Sequence, residues 1–148
     1  MLTYQPANPE QYEEFLQLMQ KETAEYLDTT LVLMQMSLDQ FKHLLSTIGN
    51  VYGIYQDDHL AGYYWIEERG DILHLHGLIL KEGFRGKGIG SEVLRMLANK
   101  YDGQMTAIEL GVHESNARAR SLYERLGYRT VKHLTDLGFY IMQYPLSS

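Results

Sequence analysis

The segment FRGKGIGSEVL, residues 84–94, decides the reading of this chain. Glycines 86, 88 and 90 alternate with other residues, Arg85 and Lys87 flank the first, and an apolar pattern of helical spacing follows. Such a segment joins a strand to a helix. A helix N-terminus carries unpaired N–H groups and partial positive charge, which makes it an anion site. Glycine lets the backbone reach positive φ and approach the anion closely. The expected guest is a phosphate or pyrophosphate, held by the N–H groups of Gly86, Lys87, Gly88, Ile89, Gly90 and Ser91, with Arg85 and Lys87 as charge support. The segment is not a P-loop, because Ile89 and Gly90 stand where Lys and Ser/Thr are required. It is not a dinucleotide fingerprint either, because Ser91 replaces the last glycine. A tight turn with no ligand has the same composition.

Outward from this loop the elements follow by periodicity. ILHLHGLIL, residues 72–80, reads as the strand before it, and a helix runs from about Gly88 to Lys100. MTAIELGVH is a strand. NARARSLYERLG is a helix with Ala119, Leu122, Tyr123 and Leu126 on one stripe and Gly127 as its stop. YRTVKHL and GFYIMQYPL form a closing hairpin around Asp136–Gly138. Before the loop, Leu2 to Gln5 is a short strand. Asn8, Pro9 and Gln11 open a helix that is expected to reach about Leu27. Ser37 and Gln40 cap another, ended by Gly49 and Asn50. The intervening TTLVLMQM is a loop or a short helix, its Met34 and Met36 filling core or lining a pocket. VYGIYQ, DDH and LAGYYWIEE make a hairpin. The order is β-αα-βββ-α-β-α-ββ, an α/β (α+β) chain with a mixed, mostly antiparallel sheet of about six to seven strands flanked by helices. It is expected to form one domain over residues 1–148.

Two blocks carry a family resemblance. Arg85-x-x-Gly88-x-Gly90 resembles the R/Q-x-x-G-x-G/A motif of the GNAT superfamily of N-acetyltransferases. Asn116-x-x-Ala119-x-x-Leu122-Tyr123-x-x-x-Gly127-Tyr128 is similar to that family's N-x-x-A-x-x-L-Y-x-x-x-G-F/Y block, and the element order fits as well. The proline and acidic residue often found before the arginine are missing; Lys81-Glu82-Gly83-Phe84 stands there. The resemblance implies that the loop cradles the pyrophosphate of acetyl-coenzyme A. It also implies that the backbone of Leu78, Ile79 and Leu80 pairs with the pantetheine arm, and that Asn116 contacts the cofactor; as the first residue of its helix Asn116 equally reads as an N-cap, and the two roles are compatible. The activity it implies is acetyl transfer to a primary amine of a small molecule, peptide or protein, by direct attack in a ternary complex. A non-catalytic coenzyme A binding or sensing module is the alternative.

Such a transfer needs an amine that loses its proton, in-line placement, oxyanion stabilisation and a protonated leaving thiolate. Tyr123 matches the family tyrosine near the sulfur and is the candidate general acid, since a phenol stays protonated at neutral pH. The stripe alone reads it as core. His74 and His76 share one strand face; His74 stands where some family members carry a catalytic Glu and is the candidate base. Strand histidines also serve as hydrogen-bonded parts of a sheet. Glu109 and His113, on one face of the next strand, are further candidates, as are Glu67 and Glu68, although the last two precede a Gly-Asp turn and read as solvated. No third ligand joins the two histidines at metal spacing, so no metal is expected. Tyr63, Tyr64 and Trp65 alternate faces, one side packing and the other lining an acceptor groove that suits a cation or equally filling an ordinary β core.

Composition narrows the partners. A formal net charge of -6 argues against nucleic acid as the main partner. Cysteine is absent, which excludes disulfides, cysteine–zinc sites and a cysteine nucleophile. The N-terminal residues lack a basic and an apolar signal region, and no apolar run is long enough to span a membrane. A cytoplasmic monomer or homodimer is expected, with acetyl-CoA as co-substrate and an amine acceptor as partner.

Overall fold

In the computed structural model the described residues are 1–33 and 35–147. Met34, expected in core or pocket, lies outside them. The strands are β1 (Leu2–Pro6), β2 (Asn50–Gln56), β3 (His59–Arg69), β4 (Ile72–Leu80), β5 (Ala107–His113), β6 (Arg129–Leu134) and β7 (Phe139–Pro145). The helices are α1 (Pro9–Glu22), α2 (Leu27–Leu33), α3 (Leu38–Thr47), α4 (Ile89–Tyr101) and α5 (Ala117–Arg125). The seven strands bond in the order β1-β2-β3-β4-β5-β7-β6. The β4–β5 pair is parallel, and β1–β2, β2–β3, β5–β7 and β6–β7 are antiparallel. This is the mixed, mostly antiparallel sheet that the sequence implies. No helix among the described residues is long and apolar enough to cross a membrane.

The chain divides into two compact units, one of Met1–Ile66 with Gly77–Arg85, the other of Glu67–His76 with the chain from Gly86 onward. In the first, Phe15 and Leu16 of α1, Leu45 of α3, Val51 of β2, Tyr63 and Trp65 of β3 and Ile79 of β4 form one buried cluster. Burying each such side chain is worth about 1.5–3 kcal/mol. Two polar ties aim the aromatics: Trp65 Nε1 donates to the Ile48 carbonyl at 2.7 Å, and the Tyr63 hydroxyl donates to Glu14 at 2.5 Å. Tyr64 points to the opposite face, stacked on Tyr52 at 5.0 Å and edge-on to Tyr4 at 5.8 Å. At 2% exposure it is as buried as its neighbours, so it is not an open groove wall.

The N-terminal helices differ from expectation in one place. α1 ends at Glu22, because the Thr23 N–H and hydroxyl both bond the Met19 carbonyl, at 2.9 and 2.7 Å. A threonine that bonds back in this way competes with the helix ladder. The chain turns there and restarts as α2, the short helix that the sequence left open.

In the second unit, α4 buries Ile89, Val93, Leu94, Leu97 and Tyr101, and β5 buries Ile108, Leu110 and Val112. Their alternation leaves Glu109 half-buried on the other face of β5.

Candidate functional site

Gly86 and Gly88 lie in the left-handed region, at φ 75° and 80°, and a Cβ on either would meet nothing within 4 Å. Gly88 is the N-cap of α4 and supplies no side-chain bond. Three other helices are closed by an oxygen: Asn8 caps α1, Ser37 caps α3 and Asn116 caps α5. The first turn of α4 therefore presents its N–H groups, at Ile89, Gly90 and Ser91, with no side-chain acceptor at the cap. Lys87 is exposed beside them. Arg85, also exposed, bonds the Leu80 carbonyl through Nε at 3.0 Å and Glu22 through its guanidinium at 3.3 Å. This arrangement ties the loop's first residue to the end of β4.

At that end, Ile79 is buried and Leu78 and Leu80 are half-buried. Gly62 of β3 lies against them so closely that a Cβ would stand 2.2 Å from the Ile79 carbonyl oxygen. The Lys81 N–H continues the contact by donating to the Ala61 carbonyl at 2.7 Å.

Within the second unit, a row of polar side chains crosses one face of the sheet. Glu67 accepts from Arg69 and pairs with His76, each at 2.7 Å. The His76 and His74 rings stack at 5.9 Å and 14°. His74 Nδ1 lies 3.3 Å from Glu109, whose other oxygen accepts from Gln143 at 2.8 Å. Burial, foremost, holds His74 below its ordinary value, aided by Arg69 and His76 and opposed by Glu109 and Glu67. A His so placed is neutral at pH 7 and free to take a proton. Glu67 is held below the ordinary carboxylate value, first by its bond to His76. The expectation that Glu67 is merely solvated is thus corrected: its cross-strand partner claims it. Glu68 is exposed. His113 is bonded to Ser115 at 2.8 Å and lies edge-on to Phe139.

On α5, Asn116 Oδ1 accepts from the Ala119 N–H at 3.1 Å, which gives it the capping role. Tyr123 is half-buried, its ring 5.7 Å from Tyr128, which in turn lies 5.3 Å from Tyr144. Sequence reading missed this tyrosine group. Tyr128 is 4% exposed and its hydroxyl has no hydrogen-bond partner among the described residues. Burial, then Tyr123 and Tyr144, push its ionisation above the ordinary phenol value. Among the described residues no group of three or more His, Asp or Glu side chains is arranged to hold a metal.

Comparison with known proteins follows the same lines. Residues 9–128 match the acetyltransferase (GNAT) family. Mycothiol acetyltransferase of Corynebacterium efficiens is 31% identical over 81 residues, 53% of this chain but only 27% of that protein's length. The ribosomal-protein-S18-alanine N-acetyltransferase of Escherichia coli superposes with a TM-score of 0.71 at 19% identity, covering 100% of this chain and 96% of that one. A GNAT family acetyltransferase from Elizabethkingia anophelis, solved with acetyl-CoA bound, gives 0.72 at 15% identity, covering 98% of each chain. At these identities the two structures speak to the fold, while the family match spans most of the chain. The chain belongs to the acetyltransferase (GNAT) family, the enzyme class that its two motifs imply.

Proposed function

We propose that this member of the GNAT family moves the acetyl group of acetyl-CoA to a primary amine, by direct attack in a ternary complex within one domain of residues 1–148. The observation that carries the reading is the N-terminus of α4. It is the helix start whose cap is a left-handed glycine instead of a side-chain oxygen, and cationic residues precede it. A pyrophosphate fits N–H groups so left and so charged. The acetyl-CoA in the Elizabethkingia anophelis relative supports the same guest. In this reading Gly86 to Ser91 bind the phosphates, Arg85 and Lys87 add charge, and Leu78 to Leu80 offer backbone to the pantetheine arm. Asn116 lies at the cofactor's side.

The residues then divide the proton work. His74 takes the amine proton, and the freed nitrogen pair attacks the thioester carbon. A C–N bond forms and the C–S bond breaks. Tyr123 donates its hydroxyl proton to the departing thiolate, and backbone N–H groups near the thioester oxygen balance the oxyanion. The relatives' names refer to molecules as different as mycothiol and the alanine of ribosomal protein S18, so the reading stops at a primary amine.

Thermal unfolding with acetyl-CoA, coenzyme A, ATP and NAD in parallel tests the cofactor. A ligand at about a hundred times its Kd adds roughly 2.7 kcal/mol, and only the two coenzyme A species are expected to do so. Stabilisation by ATP or NAD instead sinks the proposal. An amine panel read by released thiol tests the transfer. Tyr123→Phe is expected to lose turnover, by about 10²-fold or more, and to keep the thermal shift. Binding with no thiol release from any amine leaves the sensing module as the better account.

A further inference from the structure

The polar row holds two histidines and two carboxylates, and its members are not equivalent. Sheet register puts His74 of β4 opposite Glu109 of β5, and Glu109 opposite Gln143 of β7. The three side chains therefore line up across three hydrogen-bonded strands. Glu67 is already engaged by Arg69 and His76. Among the described residues Glu109 has only the neutral amide of Gln143 besides His74. Its carboxylate is thus the one whose charge is available to His74. The other groups facing His74 are Arg69 and Glu67 from β3 and His76 from its own strand. The His74 side chain is 17% exposed, enough to be reached, and among the described residues nothing bonds its Nε2.

We infer that Glu109 is the positioning residue for His74. Its carboxylate stands 3.3 Å from Nδ1, a charge contact rather than a formed hydrogen bond, and that charge favours the neutral ring's proton on Nδ1, which leaves the lone pair on Nε2. Gln143 braces Glu109 through its second oxygen. When Nε2 takes the amine proton, both ring nitrogens carry hydrogen, and the Glu109 carboxylate balances the new charge without itself being protonated. His76, held by Glu67 and stacked on His74, keeps the ring plane parallel to its own. This inference rests on the proposed base role of His74, and its test separates the two.

The experiment uses the full chain labelled with [15N]histidine and long-range 1H–15N spectra across pH, with the His74 signals identified by their loss in His74→Gln. Free neutral histidine prefers the proton on Nε2. His74 is expected to carry it on Nδ1. In Glu109→Gln the ring should shift toward the Nε2–H form, and its titration should move to lower pH, because a group that favours the imidazolium is gone. Gln143→Leu, which keeps the Glu109 charge, should change the spectrum less and in the same sense. With an amine found by the thiol screen, Glu109→Gln should lower kcat by roughly tenfold or more, part of the about 10²–10⁴-fold that a general base supplies. The KM for acetyl-CoA should not change. An Nε2–H ring in the parent protein, or a His74 titration unmoved in Glu109→Gln, overturns the inference. Failure of the underlying reading looks different: the spectral signatures persist while His74→Gln keeps full turnover.

Discussion

Gly62→Ala probes how the end of β4 is seated. A Cβ at this position would stand 2.2 Å from the Ile79 carbonyl oxygen, 2.9 Å from Leu80 Cα and 3.1 Å from the Ile79 carbonyl carbon. The first of these is more than about 1 Å inside ordinary contact distance. All three neighbours are backbone, so no side-chain rotation relieves the clash; the strands must part. Overpacking of this kind costs about 1–3 kcal/mol, and the upper end applies where nothing flexible can give. Ala regains about 0.5–1 kcal/mol over Gly in a strand. The net is a loss of about 2 kcal/mol, or roughly 4–8 °C in Tm at this chain length. Because the displaced backbone is that of Ile79 and Leu80, and Leu80 anchors Arg85, stabilisation by coenzyme A should shrink as well. Gly53→Ala is the control. Its Cβ would meet the ring of Tyr55 at 3.1 Å and a methyl of Leu60 at 3.2 Å, both of which can rotate aside. It should stay within about 0.5 kcal/mol of the parent. Thermal unfolding of both variants, with and without coenzyme A, reads the outcome. A Gly62→Ala protein that melts with the parent, or a Gly53→Ala protein that loses as much, refutes the reasoning.

The other expectations concern the loop and pH. Gly88→Ala forces a Cβ into the left-handed region at a cost of about 1–2 kcal/mol, and should reduce the coenzyme A shift by moving the cradle. Gly90→Ala, whose Cβ would make ordinary contact with Leu122 at 3.9 Å, should gain about 0.5–1 kcal/mol and keep the shift. Acidification should destabilise the protein in two stages, followed as Tm against pH. His74 resists protonation when folded, so stability falls as pH drops below the ordinary 6.5, while the unfolded chain takes the proton first. Glu67 contributes above the ordinary 4.5 and that contribution is lost as pH falls through its lower folded value. His74→Gln should remove the first stage and leave the second.

What the sequence made legible was local. The caps at Asn8, Ser37 and Asn116 are three-residue signals, and the structure closes each with the expected side-chain bond. β4 has the bounds read from ILHLHGLIL, because period-two alternation and a glycine turn on each side leave no other choice. The break at Thr23 was not legible, since a threonine in a helical pattern either continues the ladder or bonds back to the preceding turn. Nor was the burial of Tyr64: alternation assigns a face but does not say that both faces are covered. Glu67 was misjudged for a related reason. Its sequence neighbours, Glu68 and a Gly-Asp turn, read as solvent, and its real partner arrives from the next strand.

The pairing of His74 with Glu109 has a further cause, one that ties the candidate site to the core. In the β4–β5 ladder Leu73 opposes Ile108 and Leu75 opposes Leu110, and all four are buried. A slip of one residue would turn either strand's apolar set toward the wrong face, so the core admits a single register. Between the two buried pairs that register leaves one half-exposed pair on the opposite face, His74 and Glu109. The polar contact need not be strong enough to align the strands. The apolar residues align them, and the histidine and carboxylate meet as a consequence. Substitutions that conserve volume at Leu73 or Ile108 should therefore leave the pair intact, whereas polar ones there should loosen it without touching either residue.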